Sequence, residues 1–232
     1  MARSANLERW TDASGRYIGL KRLSSVTPSR GSVLILYGNG DLAVNYSYYA
    51  GVIQSVAPLD VFILEYPGYG DRSGSPTQSS LFQAASEAFR MLPAGKPIYL
   101  FAQSLGTGVA SYLAGTESTN VAGVILVSPY NRLTDVAQFH MPLLPVHLLL
   151  LDRFPSEKYL RNYHGPLGVV VDGHDKVVPE RFGLRLFIGY AGPKKLWDFD
   201  SGEHTEIDEP QPEFWTEVLD FWQANKPTLP GN

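Results

Sequence analysis

The chain has 232 residues, 44% of them hydrophobic, with no cysteine and a formal net charge of −4. That length and apolar content suffice for one sizeable core and exclude an intrinsically disordered protein. The lack of cysteine excludes disulfides, thiolate metal sites and a cysteine nucleophile, and without a basic stripe there is no electrostatic footprint for nucleic acid.

Residues 1–8 carry a charge but no following apolar run, so no signal peptide is expected there. The most apolar stretch, residues 141–151 (MPLLPVHLLLL), is about half of the ~20 residues needed to span a bilayer. The expectation is one soluble, cytoplasmic domain over residues 1–232, with no membrane span; composition is silent on oligomeric state.

In chain order, two weak strands at residues 8–11 and 16–23 flank an Asp12-Ala13-Ser14-Gly15 turn and read as an antiparallel edge hairpin. Strong, almost continuously apolar runs follow at residues 32–37, 61–65, 97–101, 121–127 and 167–171. Such runs suit strands buried on both faces of a parallel sheet. Helix patterns occupy residues 42–56, 77–92, 106–113, 179–190 and 213–224, with a short strand at 195–199. The βαβα alternation predicts a three-layer α/β sandwich, its mostly parallel sheet carrying helices on both faces. Residues 131–163, interrupted by proline, are too long for a plain connection and are expected to form a small helical cap over the sheet edge.

Three loops carry chemistry. Phe101-Ala102-Gln103-Ser104-Leu105-Gly106 ends a strand and opens a helix. A serine on such a turn is held in strained backbone with its hydroxyl above the sheet, and small residues at 102 and 106 allow close backbone approach. Ser104 is therefore the candidate nucleophile; the bland alternative is an ordinary serine N-cap. A serine hydroxyl needs a general base oriented by a carboxylate, and in this strand-turn-helix setting the chain order is Ser, acid, His. Of five histidines only His204 lies late, in a loop before the last helix, and it is the candidate base. The loop after residues 167–171 offers two acids: Asp172, at the strand end, where turn formation is the alternative role, and Asp175, further out and favoured. His140, His147, His164 and His174 read as structural or surface residues. No helical His-x-x-x-His spacing or acidic ligand set points to a metal, and the chemistry requires no cofactor.

Tyr37-Gly38-Asn39-Gly40-Asp41 follows the first strong strand. In a serine hydrolase this loop supplies an oxyanion donor, the Asn39 N–H joining that of Leu105. Asp41 reads as the N-cap of the next helix. The same residues satisfy a dinucleotide pattern, G-x-G-x-x-A through Gly38, Gly40 and Ala43, with Glu65 placed as a ribose acid. Against it, Asp41 would set a negative charge beside the pyrophosphate, and Ser104, Asp175 and His204 would go unexplained.

These stretches, with Glu65-Tyr66-Pro67-Gly68-Tyr69-Gly70, Ser128-Pro129-Tyr130 and Asp175-Lys176-Val177-Val178-Pro179, resemble the α/β-hydrolase superfamily over essentially the whole chain. The likeness is to the small serine hydrolases that include fungal cell-polarity-associated and mammalian depalmitoylating enzymes. It implies Asp175 as the acid and an Asn39/Leu105 oxyanion hole. Tyr37 stands where the family usually has His, and Ala102 where it usually has Gly. The expected activity is cleavage of a small ester with a short to medium acyl chain. Phe139, Met141, Leu143 and Leu144, with Val146 and Leu148, either line an acyl pocket or pack the cap's own core. Thioesterase, depalmitoylase or amidase action with the same triad, and a non-catalytic binder, are the alternatives.

Overall fold

The computed structural model describes residues 7–199 and 211–226. Strands β1 (Glu8–Thr11) and β2 (Tyr17–Arg22) form the antiparallel hairpin at one edge of an eight-stranded sheet. β3 (Ser32–Leu36) leads through a 3₁₀ turn (Ala43–Tyr46) to α1 (Ser47–Val56) and β4 (Asp60–Leu64), and α2 (Gln78–Arg90) leads to β5 (Ile98–Gln103). After α3 (Leu105–Thr116) and β6 (Val121–Val127) come the cap helices α4 (Leu133–His140) and α5 (Val146–Leu149), then α6 (Ser156–Leu160). β7 (Leu167–Val171), α7 (Glu180–Gly189), β8 (Lys194–Asp198) and α8 (Pro212–Ala224) complete the order.

The strand order is β1-β2-β4-β3-β5-β6-β7-β8, and every pairing from β4 onward is parallel. β3, β4 and β7 are buried at every residue, which explains their unbroken apolar runs. Alternate residues of β5 serve opposite faces. Tyr99 stacks on Trp222 at 4.4 Å and Phe101 meets Trp215 at 5.1 Å, so α8 covers one face together with α1. Position 123 must be glycine because a Cβ there would overlap the Trp222 indole. α2, α3 and α6 form the other layer, joined by the 4.1 Å stack of Phe82 on Tyr112.

The segment between β6 and β7 divides in two. Residues 133–149 form the cap. The return limb is core: Phe154, Ser156, Leu160 and Tyr163 are buried, and Phe154 and Tyr159 pack edge-on against Phe82. The helix expected over residues 42–56 likewise starts as a 3₁₀ turn whose N-cap is Leu42. The Asp41 carboxylate does not cap it; it accepts from the Leu42 N–H at 2.8 Å and the Asn45 amide at 2.6 Å.

Candidate active site

The chain runs from β3 outward to β4, then crosses back so that β5 lies on the other side of β3. Such a reversal leaves a crevice at the carboxyl ends of the two strands, where ligands bind in open α/β sheets. Gly38 leaves β3 there and Ser104 leaves β5. A Cβ at position 38 would lie 3.4 Å from the Ser104 Cβ and 4.0 Å from its Oγ, so the glycine keeps the hydroxyl uncrowded.

Ser104 has φ 49° and ψ −120°, a region a side-chain-bearing residue enters only when its surroundings force it. Its N–H donates to the Val127 carbonyl at 2.9 Å, while its own carbonyl accepts from the Thr107 N–H and hydroxyl at 2.9 and 2.6 Å. The adjoining Gln103 amide oxygen accepts from the Tyr46 hydroxyl at 2.7 Å. A Cβ on Gly106 would overlap the Leu36 carbonyl oxygen, the close approach expected of that small residue. Leu105 opens α3, and its carbonyl accepts from the buried Tyr130 hydroxyl at 3.2 Å. The first N–H groups of α3 thus point, with the positive end of its dipole, toward the serine turn.

Asn39 is exposed, and its side-chain oxygen accepts from the Tyr69 hydroxyl at 2.6 Å; the Tyr69 oxygen takes the Gly40 N–H at 3.5 Å. Beneath the loop, Glu65 is buried with its carboxylate held by the Tyr37 hydroxyl and by the Ala43 N–H at 3.2 Å. The Tyr37 oxygen in turn accepts from the Tyr66 N–H at 3.1 Å. Burial, then the bond to Glu65, drives the Tyr37 pKa well above its ordinary value and keeps the phenol a neutral donor. Glu65, the candidate ribose ligand of the dinucleotide reading, is thereby committed to bracing the loop.

Both acids stand after β7. Asp172 is buried, and its Oδ1 accepts from the His174 N–H at 2.7 Å, closing its own turn. Asp175 is half-buried, with Oδ1 accepting from the Val177 and Val178 N–H groups at 2.8 Å each. Those two bonds orient the carboxylate and leave Oδ2 for a further donor. His204 lies outside the described residues, in the stretch between β8 and α8. Of the candidate pocket residues, Phe139, Met141, Leu143 and Leu144 are 45%, 43%, 97% and 48% exposed, Leu148 is exposed too, and Val146 is buried, as are Thr134 and Val136 in α4. Among the described residues no group of three or more His, Asp or Glu gathers as a metal site.

Sequence patterns assign no role to Tyr69, Tyr46 or Tyr130, and to Glu65 only that of a ribose acid; Tyr69 and Tyr130 stand in the short motifs at residues 65–70 and 128–130, while Tyr46 carries no sequence signal.

Residues 31–162 match the family model described as alpha/beta hydrolase fold, more than half of the chain, and the protein belongs to that family. It is 34% identical over 142 residues to an uncharacterised Mycobacterium tuberculosis protein, covering 59% of this chain and 50% of that one. It is 26% identical over 211 residues to the lysophosphatidylserine lipase ABHD12 of Xenopus tropicalis, covering 82% of this chain and 54% of the relative. The chain thus spans about half the length of these curated relatives. Among solved structures it resembles Est1E of Butyrivibrio proteoclasticus with bound ferulic acid, at TM-score 0.72 and 15% identity over 94% of this chain and 100% of that one. A Paleococcus ferrophilus monoacylglycerol lipase gives TM-score 0.67 at 18% identity, over 94% and 99% of the two chains. No helix among the described residues is long and apolar enough to cross a membrane.

Proposed function

We propose that this protein is a serine hydrolase of the carboxylesterase type. Ser104 attacks the acyl carbonyl while His204 takes its proton, Asp175 orients the imidazole, and the Asn39 and Leu105 N–H groups hold the oxyanion. The leaving group departs with the proton returned by His204, and water activated by the same base then releases the acid from Ser104. The observation that carries this reading is the strained Ser104 backbone, set against Gly38 at the crevice where the strand order reverses.

The substrate is a small ester with a short to medium acyl chain, consistent with a cap of only two short helices. The lipases named among its relatives favour a second reading, a single-chain acyl lipid cleaved by the same triad. A fluorophosphonate probe is expected to label the protein at Ser104, and Ser104→Ala to abolish labelling. Rates on p-nitrophenyl esters of graded chain length then distinguish the two substrate readings. Labelling that survives in Ser104→Ala overturns the assignment.

A further inference from the structure

Among the described residues, nothing covers a run of large apolar side chains on the cap. Leu143 is 97% exposed, Leu151 87% and Leu148 80%, with Leu149, Leu144 and Met141 beside them. Contiguous exposed apolar surface of this kind marks an interaction site, whereas scattered leucines do not. The tip is built to hold these side chains outward. The Gln138 amide donates to the carbonyls of Met141, Pro142 and Leu144 at 3.0–3.3 Å and accepts from the Val146 N–H at 3.3 Å, closing the turn from within. Val146 packs inward.

Charge identifies the occupant. No Asp or Glu occurs from residue 136 to residue 151. Three cations fringe the leucines. The Arg153 guanidinium bonds the carbonyls of Leu150 and His147, Arg181 lies 4.2 Å from the centre of the Phe139 ring, and Lys176 is exposed beside the exposed Val177. Among the described residues none of the three has a carboxylate partner. Leucines that project almost fully from the surface do not line a groove for a peptide. Together with unpaired cations at their base, they match the boundary between acyl chains and anionic headgroups. The His140 ring nitrogen stands 2.8 Å from the Val177 carbonyl, which fastens the patch beside the Asp175 loop.

We propose that the cap tip docks on the surface of a lipid bilayer containing anionic lipid, with the leucines entering the acyl boundary and Arg153, Arg181 and Lys176 meeting headgroup phosphates. This docking does not rest on the chemistry assigned to Ser104, so Ser104→Ala protein binds vesicles as the wild type does.

The test is co-sedimentation with vesicles of phosphatidylcholine alone and of phosphatidylcholine mixed with phosphatidylglycerol. The wild type is expected to partition onto the mixed vesicles, more weakly onto the neutral ones. Leu143→Asp with Leu148→Asp is expected to lower partitioning by about tenfold or more. Arg153→Gln with Arg181→Gln is expected to remove only the increment due to phosphatidylglycerol. Both leucines are exposed, so the melting temperature stays unchanged; should it fall, Leu151→Asp reads out the same loss. The proposal is overturned if the wild type does not sediment with mixed vesicles, or if the aspartate variants bind as well as it does. It is also overturned if those variants instead dissolve a dimer of a wild type that ignores vesicles, which would assign the patch to a second copy of the chain.

Discussion

At the scale of single residues, the two acids of the β7 loop make different commitments. Asp172 spends its Oδ1 on the His174 N–H within its own turn and is buried there. Asp175 is oriented by two backbone N–H groups and keeps Oδ2 available. Asp175→Asn is therefore expected to lower kcat on an activated ester by about 10⁴-fold with little change in KM, the effect of losing the group that sets the base's tautomer. Asp172→Asn is expected to shift the melting temperature more than the rate. Steady-state kinetics and thermal melting on the two variants check the pair, and the reverse pattern would move the acid to Asp172.

At the same scale, Tyr69 spans the Asn39-Gly40 loop proposed to hold the oxyanion, donating to the Asn39 side chain and accepting from the Gly40 N–H. It is a positioning residue: Tyr69→Phe frees the loop without touching the triad. The expected outcome is a fall in kcat of about tenfold with KM held, because loop order matters most when the oxyanion forms. Equal losses in fluorophosphonate labelling and ester turnover would accompany it.

At the scale of elements, what could be read from sequence follows from what leaves a pattern. The five buried parallel strands announce themselves because both faces are apolar, and the serine turn because strand, small residues and helix fall within a few positions. The cap is different. Its leucine-rich run has the composition of core and is nevertheless exposed, since hydrophobicity reports a preference for burial and not the presence of a partner. Conversely the return limb, interrupted by Pro155, reads as part of the helical cap but is packed against α2 and α3. The bracing of the glycine loop by Glu65 and Tyr37 joins two strand ends 28 positions apart, a pairing with no periodic trace.

Besides its aromatic packing, the return limb is tied to α2 at Gln78. The Gln78 amide oxygen, in the first turn of α2, accepts from the Arg153 and Phe154 N–H groups at 2.8 and 2.7 Å, and the Asp152 carboxylate accepts from the Gln78 N–H at 2.9 Å. These bonds fix Phe154 at φ 37°, from which its ring reaches Phe82. Gln78→Ala leaves two N–H groups without their acceptor and is expected to cost about 1 kcal/mol, since the site is only partly buried. Urea unfolding measures it as a lower midpoint at unchanged slope; an unaltered midpoint would show that the limb is held by the aromatic packing alone.

For the whole molecule, the dominant titratable feature is its buried tyrosines. Desolvation raises the pKa of Tyr66, Tyr130, Tyr163 and Tyr190 above the ordinary value of 10.0, and Tyr37 rises for the same reason reinforced by Glu65. Tyr17, pushed up to about 12, follows at the sheet edge. In the folded chain these phenols keep their protons where the unfolded chain has already lost them. Between the ordinary and the raised pKa the unfolded state thus binds fewer protons, and stability falls as pH rises. The loss begins near pH 10 and is absent below it. Melting temperature is expected to hold level from neutral pH to about pH 9.5 and then drop steeply, with tyrosinate absorbance appearing together with unfolding rather than before it. One of these phenols, Tyr37, braces the loop beside Ser104 through its bond to Glu65. A neutral phenol there does not titrate in the working range, so the loop's support stays constant while the base changes charge. Ester turnover is accordingly expected to show one acidic limb, set by the base, and a plateau that ends only where the fold itself fails. A second acidic limb that disappears in Tyr37→Phe would contradict that account.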